Sequence, residues 1–84
     1  MTTAPWFGPG KTYGDGVYLV GEDIEPGVYD GVVVKEQGYW ARLEGTDGMA
    51  SQFIANGIVR GPFILTIVQS DVAVELRAVI LTAR

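Results

Sequence analysis

The sequence predicts an all-β fold, a small antiparallel β-sandwich or barrel with an extended N-terminal arm. Three observations carry this. Short runs of β-branched and aromatic residues are separated by Gly-bearing turn signals at roughly every eight to twelve residues, the spacing of a sandwich or barrel. The stretch Gly14 to Tyr29 reads as strand, turn, strand: Val17 to Val20 suits a pleated surface, and Pro26-Gly27 suits a tight turn. Finally, Pro5, Gly8, Pro9 and Gly10 in residues 1–13 oppose both a long helix and a central strand.

The chain of 84 residues is one domain, with residues 1–13 as the arm and 14–84 as the β domain. Within it, strands are expected over 16–21, 27–35, 38–44, 52–56, 62–69 and 72–82. Gln37-Gly38, Asp47-Gly48 and Asn56-Gly57 read as turns. Asp30-Gly31 falls inside an otherwise strand-like segment, so it reads as a bulge. Met49 to Asn56 also accommodates a single helical turn. Trp6 and Phe7 in the arm are too apolar to stand in water, so they either fold back as a lid or insert into a neighbouring subunit.

Composition restricts chemistry. Cys and His are both zero, which removes disulfide staples, the usual general base and the common zinc ligands together. No catalytic residue, metal site or cofactor is assigned, and the chain is read as a non-enzyme. Six basic against 10 acidic residues give a net charge of -4, with the basic residues scattered singly, which opposes nucleic-acid binding. No apolar run approaches the ~20 residues of a membrane helix. Gly8-Pro9-Gly10-Lys11-Thr12 ends like a phosphate-binding loop, but Pro5 stands where that motif needs its first Gly. Asp15, Glu22, Asp23, Glu25 and Asp30 form an acidic group suited to calcium by donor type, yet without EF-hand spacing, and the plain reading is a solvated loop.

The surplus of apolar residues points to a partner. At 48% hydrophobic residues, the chain has more apolar side chain than so small a body buries alone. Over 72–82 one face reads Val72, Val74, Leu76, Ala78, Ile80, and the other is polar only at Glu75 and Arg77. Over 62–69 both faces are largely apolar. A half-buried strand alternates; these do not. Ile64, Val68, Val79 and Leu81, with Trp6 and Phe7, are therefore assigned to an interface. Tyr39 and Arg42 are the candidate ligand face, with Trp40 between them assigned to the core.

The ordered string Gly16 to Tyr29, Tyr39-Trp40-Ala41-Arg42-Leu43, Ile54-Ala55-Asn56, Gly61-Pro62, Thr66-Ile67 and Asp71 resembles a small all-β domain of actinobacterial secreted and lipid-anchored proteins, which also occurs in proteins of their phages. The resemblance spans residues 14–76 and implies a compact β module with no known chemistry. Secreted members carry a Cys before the Tyr-Trp pair and another near the C-terminus. Here Gly38 and the tail Val79 to Arg84 stand instead, a loss worth ~2–5 kcal/mol to a small domain. With no leader visible after Met1, the expectation is a Cys-free, phage-like variant made in the host cytoplasm. It would be a bacteriophage virion protein, capsid decoration or minor tail subunit, forming a homo-oligomer and contacting major capsid or tail subunits. The competing expectation is a cell-surface ligand- or carbohydrate-binding β module.

Overall fold

The computed structural model describes residues 11–45 and 53–84. Over these it is an all-β sandwich of eight strands: β1 (Thr12–Tyr13), β2 (Gly16–Leu19), β3 (Gly27–Val33), β4 (Gly38–Leu43), β5 (Phe53–Val59), β6 (Phe63–Ile67), β7 (Ala73–Arg77) and β8 (Val79–Ala83). Two antiparallel sheets of four strands result, a first sheet ordered β1-β8-β3-β6 and a second ordered β2-β7-β4-β5. Consecutive strands fall in opposite sheets at every connection except β4 to β5. The chain therefore weaves between layers, and each crossing needs its own local device.

The sharpest device is at Ala78. Residues 72–82, expected as one strand, are two strands in different sheets, joined at a single left-handed residue with φ 58. Up to this corner the even positions Val74 and Leu76 face the core; beyond it the odd positions Val79 and Leu81 do. The two apolar faces read from sequence are thus two inner faces, one from each layer. Val79 and Leu81 are both fully buried within the protomer, which corrects their assignment to an interface. The corner is tied down on both sides. The Ala78 N–H donates to Asp15 Oδ1 at 2.7 Å, and its carbonyl accepts from the Val34 N–H at 2.9 Å.

The β6–β7 crossing is held by Asp71. Its N–H closes a turn onto the Val68 carbonyl, while Oδ2 accepts the Val68 N–H at 3.0 Å. Arg42 from β4 then meets the same carboxylate with two prongs, Nε to Oδ2 at 2.8 Å and Nη2 to Oδ1 at 3.1 Å. The Asp71 side chain is fully buried and that of Arg42 is 21% exposed. Asp71 holds the guanidinium pKa above its ordinary value, chiefly through these hydrogen bonds. The pair couples a crossover turn to a central strand of the second sheet.

The β2–β3 connection was expected as a Pro-Gly hairpin. Instead the tight turn lies at Gly21–Asp23, Gly21 having φ 95, and the two strands it joins belong to different sheets. The Leu19 carbonyl collects the N–H groups of Glu22, Asp23 and Ile24, and Ile24 drops into the core. Pro26-Gly27 serves as the entry to β3. A motif then repeats: Gly16-Val17-Tyr18 and Gly27-Val28-Tyr29 each begin with glycine at positive φ, 148 and 152. Each tyrosine hydroxyl donates to the carbonyl four residues upstream, Tyr18 to Gly14 and Tyr29 to Glu25. Tyr13 packs edge-on against both rings, at 5.3 and 5.9 Å between centroids. So Thr12 and Tyr13, counted with the arm from sequence, are part of the first sheet and the core.

Two glycines expected at irregularities sit in regular ladders beneath aromatic rings. Gly31 pairs with Phe63 in unbroken register, so no bulge occurs at Asp30-Gly31, and a Cβ there would collide with the Phe63 ring. Asn56-Gly57 lies inside β5 rather than at a turn, and a Cβ on Gly57 would come within 2.8 Å of the Trp40 indole nitrogen. The one register shift is at Ile54, where β5 carries an extra residue against Arg42–Leu43. Asp47-Gly48 lies outside the described residues. Between the sheets, Leu65, Ile67, Val74, Leu76, Val79 and Leu81 bury nearly all their surface, each contributing ~1.5–3 kcal/mol.

Three outcomes follow. Ala78→Gly relieves a left-handed alanine at the expense of chain entropy, with an expected net gain of about 0.5–1 kcal/mol, read as a raised urea midpoint at unchanged slope. Arg42→Ala strands the Asp71 carboxylate in the interior and should lose about 3 kcal/mol, the low end for a buried pair because the guanidinium reaches solvent. Burial, reinforced by Tyr13, raises the Tyr29 pKa above 10.0. The folded state thus keeps a phenolic proton that the unfolded chain releases. The resulting stability is complete below pH ~10 and is lost as pH rises through the folded value. Tyr29→Phe should flatten that alkaline slope in denaturation curves while costing about 1 kcal/mol at neutral pH.

Candidate functional site

Apolar residues remain in solvent on the outward face of the first sheet, as they also do on β2 and β5 of the second. Along β3, Tyr29 and Gly31 point inward, leaving Val28, Asp30 and Val32 outside. Register places Thr66 beside Val28, and Ile64 beside Asp30, on β6; on β8, Thr82 flanks Asp30 and Ile80 flanks Val32. Ile64 is 59% exposed and Val32 48%, with Val28 and Val68 also exposed. These positions are β-branched because a solvent-side strand surface still favours them sterically.

An open cavity of about 520 Å³ lies at the Pro62 end of this face, lined by Asp30, Gly31, Val32, Pro62, Phe63 and Ile64. Its size is that of a small-molecule or side-chain site. Pro62 and Phe63 bound it because the chain enters β6 there, and a proline is tolerated at the start of an edge strand. The one charged feature is Asp30 with Arg84, Nη2 to Oδ1 at 2.9 Å and Nε to Oδ1 at 3.1 Å. Both side chains are about half exposed, so the pair holds Arg84 over β3 at little net energy. The aspartate raises the Arg84 pKa by hydrogen bonding.

Of the residues assigned to an interface from sequence, Ile64 and Val68 belong to this face, and Val79 and Leu81 are interior. Trp6 and Phe7 lie outside the described residues. Tyr39 and Arg42 do not converge. Tyr39 lies on the outer face of β4, half-buried against Ala41, Leu43 and Ala73, its hydroxyl 3.5 Å from Asn56 Nδ2. Arg42 shares the opposite face with Trp40, which packs against the core as expected, and is engaged by Asp71. The acidic group is dispersed into structural tasks: Asp15 caps the Ala78 corner, Asp23 accepts the Leu19 N–H at 3.0 Å, and Asp30 holds Arg84. A smaller cavity of about 180 Å³ beside Asp15, Gly16, Val17, Glu75, Leu76 and Arg77 contains the Glu75–Arg77 pair at 2.7 Å.

Sequence reasoning missed Val28, Val32 and the Asp30–Arg84 pair. The signal was present in simple alternation from Val28 to Val33. The assumption of a bulge at Asp30-Gly31 concealed it by breaking the parity there.

A family model described as the Rv1352-like extracellular domain matches residues 10–78. No curated protein and no solved structure matches. An extracellular domain family overturns the expected localisation, the virion after synthesis in the host cytoplasm without export, and the match shows no link to phage. The actinobacterial resemblance read from Gly16 to Asp71 agrees with it at the level of a small domain family. With most of its length covered, the chain belongs to the Rv1352-like extracellular domain family.

Proposed function

We propose that this chain is a non-enzymatic extracellular recognition domain that binds a protein partner through the outward face of its first sheet. The observation that carries the reading is the row of exposed Val28, Val32 and Ile64 beside the open cavity bounded by Pro62 and Phe63. Exposed apolar residues grouped around a concavity are characteristic of interaction sites, whereas single exposed apolar side chains are ordinary. The partner segment is apolar, with one bulky side chain entering the cavity. Asp30 and Arg84 at its rim offer an acceptor and a donor to the segment's backbone. A carbohydrate partner is less well served, since such a ligand needs an exposed aromatic platform with polar groups beside it, and Tyr39 and Arg42 lie on opposite faces of β4. The non-enzymatic reading rests on the chemistry of the chain: with neither His nor Cys, a nucleophile would depend on Lys or carboxylates for its base.

The test is a photo-crosslinking residue placed at Val32 or Ile64 of the protein on intact producing cells, with Glu22 as the control position. Defined adducts with an extracellular or envelope protein from the first two positions, and none from the third, are expected. Equal adducts from all three, none from any, or protein confined to the cytoplasm would overturn the proposal.

A further inference from the structure

Of the 6 basic residues in this chain, four are engaged by the fold. Arg42 meets Asp71 at 2.8 Å, Arg77 meets Glu75 at 2.7 Å, and Arg84 meets Asp30 at 2.9 Å. The Lys11 ammonium lies 5.7 Å over the Tyr13 ring. Lys35 and Arg60 are different. Among the described residues they make no ion pair, in a chain that carries 10 acidic residues and a net charge of -4. Glu36 follows Lys35 in sequence and Asp15 holds the Ala78 corner, yet neither lies within ion-pair distance of the two cations.

The fold brings both cations to the end of the sandwich where the 520 Å³ cavity opens. Lys35 stands three residues beyond Val32, and Arg60 two residues before Pro62, and Val32 and Pro62 both line that cavity. Two or three residues span at most ~7–11 Å, about one screening length at physiological salt. Arg60 Nη2 donates to Gln37 Oε1 at 3.3 Å, which ties the corner before β6 to the connection between β3 and β4. An amide oxygen orients the guanidinium without neutralising it. Asp30, the sole charged residue lining the cavity, is already paired with Arg84. The charge left without an ion pair beside the cavity at this end therefore includes two cations.

We infer that the protein segment bound by the outward face of the first sheet is acidic on one side of its bulky apolar residue. That residue enters the cavity, and the carboxylates beside it pass over Pro62 to lie against Arg60 and Lys35. The inference rests on the reading of that face as a protein-binding surface and adds the chemistry of the partner. Arg60 suits the task, since its planar fork of N–H donors matches a carboxylate and one prong alone is taken by Gln37. Charge complementarity of this kind selects partners and speeds encounter more than it adds affinity. An acidic chain repels acidic segments over most of its surface, so a pair of unengaged cations beside the cavity admits one at this place and not elsewhere.

The experiment titrates the protein, with the photo-crosslinking residue at Val32, onto producing cells and follows the adduct. Charge reversal by Lys35→Glu with Arg60→Glu should raise the half-saturating concentration at least about tenfold. Lys35→Gln with Arg60→Gln should raise it less, and Arg77→Gln, on the second sheet, should leave it within about twofold. Raising salt from about 0.05 to 0.5 M should weaken binding of the native chain and hardly change that of the double Gln variant. Lys35 and Arg60 are both exposed, so near-UV circular dichroism should stay that of the native chain. A half-saturating concentration unmoved by the charge reversal, or lowered by it, overturns the inference, while the persisting Val32 adduct leaves the protein-binding reading in place. Binding of the native chain that is insensitive to salt overturns it equally. Absence of any adduct from the native chain removes both the reading and the inference.

Discussion

The bidentate contact between Arg42 and Asp71 carries a structural duty out of proportion to its size. A sandwich whose strands alternate between layers has few local ladders; among the described residues, β4 with β5 is the sole pairing between strands adjacent in sequence. Its cohesion depends on crossings that commit the chain to the other sheet at the correct residue. Asp71 fixes one such crossing through its own turn, and Arg42 anchors that turn to β4. A buried ion pair is seldom a source of large net stability, because desolvation offsets most of the attraction. Its value here is geometric: two parallel hydrogen bonds define where β6 ends and β7 begins.

The same logic recurs with different chemistry at each corner. Asp15 supports a left-handed alanine, Tyr18 and Tyr29 each grip a carbonyl four residues upstream, and Ile24 plugs the end of the sandwich between β2 and β3. Short polar side chains and tyrosine hydroxyls thus do the work that disulfides do in many extracellular domains of this size. The cost is topological. Nearly all pairings join residues far apart in sequence, the arrangement that makes folding slow and leaves apolar strands exposed while it proceeds.

With the interior defined, the two surfaces of interest follow from what the core leaves over. Inward parity on β3 and β6 takes Tyr29, Leu65 and Ile67, and the remainder of those strands, Val28, Val32 and Ile64, faces solvent around a cavity. The edge strand β5 contributes only Val59 to the packing between layers, so its other apolar residues are available outside. Both groups of residues are what the core leaves exposed, and they lie on different sheets.

Much of the fold was legible in the residues. Turn spacing and β-branched runs identified an all-β sandwich and most strand positions, and alternation put Trp40 inside with Arg42 on its side of β4. Of the residues read as surface, Ile64 and Val68 are exposed, whereas Val79 and Leu81 are interior. That error has a definite cause. Alternation of period two reports which residues share a face only while the backbone remains one strand. A single residue at φ 58 exchanges the faces, and alanine at position 78 gives no warning of it. Gly31 and Gly57 misled in the opposite sense, since glycine in a sequence suggests a break, while here it makes room for the rings of Phe63 and Trp40. What the linear chain determined by itself was composition, local conformation and the quantity of apolar surface to be hidden. Which strands share a layer, and hence which of those side chains face the interior, was decided only by contacts between residues such as Asp15 and Ala78, or Arg42 and Asp71, that folding brings together from distant positions.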